Sequence, residues 1–163
     1  MKKNKGKGTN ILPGTKSGRC PYCGGSIMLR SADGIYKENH TDTKLYVCSR
    51  YPECDAYVRV VPGTSMPMGR MANGDLRALR REAHRHFDRL HQSGMMTRNG
   101  AYQWLAGMLQ APQSQAHIGY LGEYYCKMVI EESRNLLENR RRTLGRTGRY
   151  MANAAGGELY AVK

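Results

Sequence analysis

Four of the five cysteines in the chain occur in two closely spaced pairs, a pattern typical of a metal site. The first pair lies in Cys20-Pro-Tyr-Cys-Gly-Gly, whose two glycines permit the sharp turn that lets backbone N–H groups approach the sulfurs. The second pair lies in Cys48-Ser-Arg-Tyr-Pro-Glu-Cys54, where Pro52 stiffens the loop. Four thiolates leave no open coordination position, which is typical of structural zinc. The sequence therefore predicts one structural Zn2+ bound by Cys20, Cys23, Cys48 and Cys54.

The fifth cysteine and the histidines are weaker candidates for a catalytic or metal-binding site. Cys126 and His117 could form a catalytic pair only with a third orienting group and a pocket, and the sequence indicates neither. We therefore predict core roles for both residues. A second metal site among His84, His86 and His91 is disfavoured, because no two of them are four residues apart and the first two point to different helix faces. They are predicted to be surface or half-buried histidines.

Short β-type runs surround the cysteines. From residue 26 to residue 61 the runs SIMLR, GIY, KLYVC and AYVRVV alternate with turn signals such as Ala-Asp-Gly and Tyr-Pro-Glu. The 24 residues between Cys23 and Cys48 are enough for a β-hairpin that brings the two cysteine pairs together. We predict a small antiparallel zinc ribbon over residues 20–62.

Three amphipathic helices follow a Pro/Gly-rich connector. The first is predicted from the N-cap Asn73 to about Gln92, the second begins after the cap Thr97, and the third runs from about Gly122 to Arg140. Each presents apolar residues at helical spacing, so the three can share a core over residues 63–140. The predicted fold class is α+β, with a ribbon followed by a three-helix unit.

The net charge of +13 is concentrated at the two ends of the chain. Residues 1–19 carry six basic side chains and no acidic one, and residues 140–163 have a net charge of +5, whereas residues 20–139 have only +2. The composition predicts a disordered basic arm over residues 1–19 and a flexible basic tail over residues 141–163. Such ends suit nucleic acid, because basic side chains release counterions from phosphates, although they could also serve only solubility. The predicted contacts are Lys2, Lys3, Lys5, Lys7, Arg141 and Arg142.

One face of the first predicted helix is rich in arginine. Its side chains could follow a phosphate backbone, but Glu82 and Asp88 lie at salt-bridge spacing within it, so an ordinary solvated face is an equal alternative. The candidate nucleic-acid contacts on this face are Arg77, Arg81 and Arg85, with Arg89 on the same stripe.

The two cysteine motifs resemble the four-cysteine zinc ribbon at the C-terminus of bacterial type IA topoisomerases. Those ribbons bind single-stranded DNA, partly through aromatic side chains. The resemblance implies that tyrosines of this ribbon stack on bases, and Tyr51 is favoured because it lies in a ligand loop beside Arg50, a further predicted contact. The alternative is that these rings are core or cross-strand partners. The candidates are Tyr36, Tyr46, Tyr51 and Tyr57.

A wider resemblance covers residues 20 to about 132. Several short motifs occur in order: Cys54-Asp-Ala-Tyr-Val, Gly63-Thr64, Pro67-Met68-Gly69, Ala83-His84-Arg85-His86-Phe87-Asp88, Ala101-Tyr102-Gln103-Trp104-Leu105-Ala106, His117-Ile118-Gly119 and Cys126. Together they resemble a family of small bacterial and phage zinc-finger-containing proteins of unknown function. The resemblance implies the metal, the domain layout and a phage or prophage origin, and it implies no activity.

Several function classes are disfavoured by the sequence. No apolar run is long enough to span a bilayer, the Lys-rich N-terminus has no apolar segment after it, and five cysteines fit a disulfide framework poorly. We expect a cytoplasmic protein without membrane partners. Phosphate-binding loops, paired carboxylates for two metals and a serine elbow are not found in the sequence, which favours a non-enzymatic role.

Two functions fit the charge distribution. The leading prediction is an accessory protein that binds single-stranded DNA or RNA without strong sequence preference. The alternative is a protein-interaction module that docks on transcription or replication machinery and uses zinc only for its shape. Residues 20–62 hold five basic and five acidic side chains, and this neutral body favours docking, whereas the cationic ends favour a polyanion.

Overall fold

The computed structural model describes residues 18–155, with side chains to residue 145. Lys2, Lys3, Lys5 and Lys7 lie outside the described residues. The chain divides into two compact units. The first contains residues up to Arg81 together with His117–Cys126, and the second contains Glu82–Ala116 and the residues from Lys127 onward.

A three-stranded antiparallel sheet forms the centre of the first unit. Its strands are β1 (Ile27–Ser31), β2 (Lys44–Cys48) and β3 (Tyr57–Arg59), in the order β1-β2-β3. Because side chains alternate along β2, Leu45 and Val47 are buried on one face, whereas Cys48 is buried on the other. The predicted hairpin and antiparallel ribbon are therefore confirmed.

The GIY run folds as a turn rather than as a strand. The carbonyl oxygen of Ala32 accepts hydrogen bonds from the backbone N–H groups of Ile35 and Tyr36. Gly34, which lies inside this turn, has a φ of 77°. A left-handed residue at this position suits glycine and closes the chain on itself. The run packs against the β2 face that carries Leu45.

Residues 117–126 pack against the segment that follows the ribbon. The backbone N–H of Arg70 donates to the carbonyl oxygen of Gly119 at 3.0 Å. Arg80 ties the two segments together, since its guanidinium donates to the carbonyl oxygens of Leu121 and Arg70 at 2.9 and 2.8 Å. A Cβ added at Gly69 would lie 2.8 Å from the carbonyl carbon of Gly119, so this backbone approach requires glycine.

Residues 18–155 contain three α-helices, as predicted: α1 (Gly74–Gln92), α2 (Arg98–Leu109) and α3 (Glu123–Ala155). The Asn73 side chain accepts from the N–H of Leu76, and Thr97 accepts from the N–H of Gly100, so both predicted caps are confirmed. Within residues 18–155, no helix has the length and apolar character needed to cross a membrane.

The second unit contains all of α2 and parts of α1 and α3. The ring of Phe87 on α1 contacts the rings of Tyr102 and Trp104 on α2, at centroid distances of 5.2 and 6.4 Å. Aromatic pairs at this range stabilise a core beyond the area that they bury. Val129 of α3 is also fully buried.

Three boundary and burial predictions were wrong. The third helix does not end at Arg140 but continues to Ala155, so residues 141–155 are helical rather than a flexible tail. The predicted boundary between residues 62 and 63 is not where the units divide, because residues 63–81 and 117–126 belong with the ribbon. His117 is exposed rather than in the core, whereas Cys126 is fully buried as predicted.

We predict that Gly69→Ala destabilises the protein. The added methyl group meets backbone atoms of Gly119 that have no flexible side chain to move, and overpacking of this kind costs about 1–3 kcal/mol. Urea unfolding followed by circular dichroism measures the loss.

Gly107→Ala is the matched control, because a Cβ there meets no atom within 4 Å and lies in α2. This change should raise the free energy of unfolding by up to about 1 kcal/mol. An unfolding midpoint for Gly69→Ala equal to that of the wild type would contradict the close backbone contact.

Candidate metal centre

Four cysteine sulfurs converge at one end of the ribbon. The Sγ atoms of Cys20, Cys23, Cys48 and Cys54 all lie within 4.8 Å of one another. Cys23 and Cys48 are separated by 3.3 Å between sulfurs, and Cys20 and Cys54 by 3.6 Å. A tetrahedral zinc with Zn–S bonds of about 2.3 Å requires sulfur separations of about 3.8 Å. The four residues are therefore positioned to bind one structural zinc ion.

The first pair lies in a tight knuckle closed by its own backbone. The N–H of Cys20 donates to the carbonyl oxygen of Gly25 at 2.8 Å, and Gly24 adopts a left-handed φ of 71°. Gly25 is required for a second reason, since a Cβ there would lie 3.2 and 3.3 Å from the sulfurs of Cys48 and Cys23. The two glycines thus serve the turn and the approach of the ligands, as the sequence predicted.

The second pair is positioned by β2 and the loop that leaves it. Cys48 is the last residue of β2, and its N–H donates to the carbonyl oxygen of Ala56 at 3.0 Å. The loop then closes through a hydrogen bond from the N–H of Cys54 to the carbonyl oxygen of Arg50, at 2.9 Å. The peptide bond before Pro52 is cis.

The surroundings of the thiols do not favour four thiolates without a cation. The N–H of Gly25 donates to the Cys23 sulfur and is the main reason that the pKa of this thiol falls to about 7. Burial instead raises the pKa of Cys48 to about 12, and burial also raises the pKa of Cys54. A divalent cation resolves this conflict, because it binds thiolates and stabilises them in a buried place.

Burial around the ligands indicates a structural role. Cys20 and Cys48 are buried among Ala56, Val58 and Met71, which form the apolar cluster on this face of the sheet. The metal therefore takes the place of a core that the short strands are too small to build. Four protein ligands leave no position for substrate or water, so the centre fits shape rather than catalysis.

The family to which the chain belongs agrees with this geometry. The sequence profile of a family of zinc-finger-containing domains matches residues 16–136, and the chain belongs to this family. The match begins just before the knuckle and includes all four ligands. No curated protein and no solved structure matches the chain significantly. The resemblance to topoisomerase ribbons therefore stays a hypothesis.

The tyrosines predicted to stack on bases are half-buried in the ribbon. Tyr36, Tyr51 and Tyr57 pack against the cluster on the Leu45 face, and the rings of Tyr36 and Tyr57 meet edge to face at 6.1 Å. Tyr46 packs on the opposite face, where its hydroxyl donates to the carbonyl oxygen of Ser65 at 2.8 Å. These contacts are those of cross-strand and core partners, the alternative that the sequence left open.

The predicted arginine stripe is divided by the fold. Arg77 is partly buried, since its guanidinium pairs with the Asp55 carboxylate at 3.1 Å and lies 3.7 Å from the centroid of the Tyr57 ring. It therefore has a structural role. Four other predicted cationic contacts are exposed, two on α1 and two on α3: Arg81, Arg85, Arg141 and Arg142.

Two residues beside the metal ligands were not among the predicted contacts. Tyr22 lies between the ligands of the knuckle, and 44% of its surface is exposed. Arg19 precedes the first ligand and donates to the carbonyl oxygen of Gly24 at 3.2 Å. The predicted contact Arg50 donates in the same way to the carbonyl oxygen of Cys23, at 3.1 Å. The signal that could have found Tyr22 is its position between two ligands, where a tight turn directs side chains outward.

We predict one zinc per chain, and loss of the ribbon in Cys48→Ser. Structural zinc contributes roughly 10–16 kcal/mol in small fingers, so removing one buried ligand should unfold this unit. Elemental analysis of protein purified without chelator measures the metal, and near-ultraviolet circular dichroism follows the tyrosines.

Cys126→Ala is the control, because this cysteine is buried outside the four-sulfur cluster. Its zinc content should equal that of the wild type. Wild-type protein without zinc, or loss of zinc in Cys126→Ala, would contradict the proposed ligand set.

Proposed function

We propose that this chain is a non-enzymatic zinc-ribbon accessory protein that binds single-stranded nucleic acid with little sequence preference. The observation that carries the proposal is the knuckle surface, defined as Arg19, Tyr22 and Arg50. All three side chains are exposed beside the metal ligands. The combination of cations and an exposed aromatic ring is what single-strand-binding surfaces use for phosphates and bases.

The two arginines are held in place by the knuckle. Each donates one N–H to a knuckle carbonyl, at 3.2 Å for Arg19 and 3.1 Å for Arg50. The other guanidinium N–H groups remain for a phosphate, because a guanidinium carries five donors. Neither arginine pairs with a carboxylate among residues 18–145. They also offset the excess negative charge of four thiolates around a divalent cation, which would otherwise repel phosphates.

Tyr22 supplies the stacking platform in this proposal. Its ring is more accessible than those of the tyrosines that pack on the two faces of the sheet. Stacking on an aromatic ring tolerates any base, because every base has a π-face, and contributes about 1–3 kcal/mol per base. This supports binding without a strong preference for sequence. The basic residues at the two ends of the chain add electrostatic attraction to phosphates, which does not depend on base sequence.

A protein-docking module is the second candidate function. The observation that favours it is an exposed aromatic pair at the start of α3, where Tyr124 and Tyr125 are 69% and 42% exposed and their rings meet at 5.3 Å. Tyrosines are enriched at protein interfaces, because a rigid ring buries a large area at little entropic cost. In this case the partner is a protein of the transcription or replication machinery. For both candidates we propose a cytoplasmic protein of phage or prophage origin.

We predict that Tyr22→Ala weakens binding of a labelled single-stranded oligonucleotide about 5- to 150-fold, the range that corresponds to about 1–3 kcal/mol. Tyr22→Phe should bind like the wild type, because it keeps the ring. Fluorescence anisotropy at several salt concentrations measures both affinity and its salt dependence. The salt slope should not change in Tyr22→Ala, since stacking releases no counterions.

Tyr125→Ala is the matched control, because it removes a tyrosine of similar exposure, 42% against 44%, from the same unit. It should leave oligonucleotide binding unchanged. If Tyr22→Ala binds as tightly as the wild type, the knuckle surface is not the site. If the intact protein binds no oligonucleotide at low salt, the docking function takes its place.

A further inference from the structure

A second cationic surface lies on the helices of the second unit. Arg85 and Arg89 are four residues apart and therefore share one face of α1, and both are exposed. α3 runs beside this helix, since the guanidinium of Arg140 donates to the carbonyl oxygen of Ser93 just after the end of α1, at 3.3 Å. Arg134 on α3 is exposed as well. We call Arg85, Arg89 and Arg134 the α1–α3 cluster.

The three guanidiniums of the cluster are not neutralised by carboxylates. Glu82 and Asp88 have the sequence spacing for salt bridges on α1, yet no ion pair forms there among the described side chains. Arg85, Arg89 and Arg134 take part in neither the Arg77–Asp55 pair nor the His40–Glu38 pair, which both lie in the first unit. The charges of the cluster are therefore available to an external anion.

The three guanidiniums of the cluster all lie close enough to His86 to affect its pKa. Its pKa is lowered from the ordinary value chiefly by burial, and then by the positive charges of Arg134, Arg89 and Arg85. Glu82 is the carboxylate that opposes them. A side chain of α1 thus experiences positive potential from both helices, and an anion bound there would relieve it.

We propose that the α1–α3 cluster binds the phosphodiester backbone of nucleic acid and forms a contact separate from the knuckle surface. The proposal relies on the proposed function only in taking nucleic acid as the ligand. Guanidiniums fit phosphate oxygens with paired N–H donors, and uncompensated arginines gain affinity by releasing condensed counterions.

The surroundings of the cluster favour a polyanion over a protein partner. Protein interfaces have an apolar centre, with charged residues at the rim. Among the described side chains of the second unit, Leu144 is the only exposed large apolar one. Positive charge is therefore the main feature by which this surface can recognise a partner. A partner that is recognised by charge alone must carry closely repeated anionic groups.

The first test compares salt slopes for a single-stranded oligonucleotide. The triple variant Arg85→Gln/Arg89→Gln/Arg134→Gln should reduce the slope of log affinity against log salt by roughly 2, because each lost phosphate contact removes about 0.7. Arg98→Gln is the matched control, since this arginine is exposed at the start of α2 and lies outside the cluster. The comparison is with the single variant Arg134→Gln, and Arg98→Gln should change the slope by much less than that variant does. Zinc content and the unfolding midpoint establish that each variant is folded.

The second test uses the ring protons of His86 in NMR titrations. Adding the oligonucleotide should raise the pKa of His86 in the wild type, because a bound phosphate offsets the guanidinium charges that lower it. The triple variant should show no such rise. The ring resonances of His40, which pairs with Glu38 on the ribbon, should not move on binding.

The outcomes separate this proposal from the knuckle surface. An unchanged slope in the triple variant, with weaker binding by Tyr22→Ala, overturns the cluster alone. A reduced slope with no effect of Tyr22→Ala supports the cluster and overturns the knuckle surface. Equal slope changes in Arg98→Gln and Arg134→Gln overturn the cluster, because the effect is then one of total charge. Wild-type protein that binds vesicles of phosphatidylserine and phosphatidylcholine but no oligonucleotide overturns both.

Discussion

Four cysteine sulfurs held within 4.8 Å of one another are the constraint on which the first unit depends. Burial raises the pKa of Cys48 and Cys54, while a backbone N–H lowers that of Cys23, so these thiols can all be ligating thiolates only around a cation. The three strands have five residues or fewer and cannot bury a core of ordinary size. Zinc stabilises the unit in place of such a core, because it links the two cysteine pairs and so fixes the end of the sheet.

The rest of the unit extends from this fixed end through polar contacts as well as packing. The Asp55 carboxylate accepts from the N–H of Gly74 at 2.8 Å and pairs with Arg77, so the residue after the last ligand holds the start of α1. The segment around Gly119 then packs on residues 69 and 70, with Arg80 bridging the two segments. The surface that we propose for single strands forms at the metal end, because the knuckle carbonyls hold Arg19 and Arg50 beside Tyr22.

Local patterns in the sequence were sufficient to predict the metal ligands, the antiparallel ribbon and two of the helix caps. These features depend on neighbouring residues, such as Thr97 three positions before Gly100. The return of residues 117–126 to the ribbon could not be predicted, because it rests on the approach of Gly69 to Gly119, which are fifty positions apart and show no periodicity. The role of Arg77 was missed for the same reason, since its helical spacing matches that of exposed arginines and only the fold places it beside Asp55 and Tyr57.

The most direct test of the zinc centre is X-ray absorption spectroscopy at the zinc K-edge of the purified protein. Four cysteines as the ligands require a first shell of four sulfur atoms at about 2.3 Å, with no nitrogen or oxygen scatterer. A shell with nitrogen at about 2.0 Å would show that a histidine replaces one of these cysteines, and oxygen in the shell would show an open position. Either result would contradict a closed four-cysteine centre as the basis of this fold.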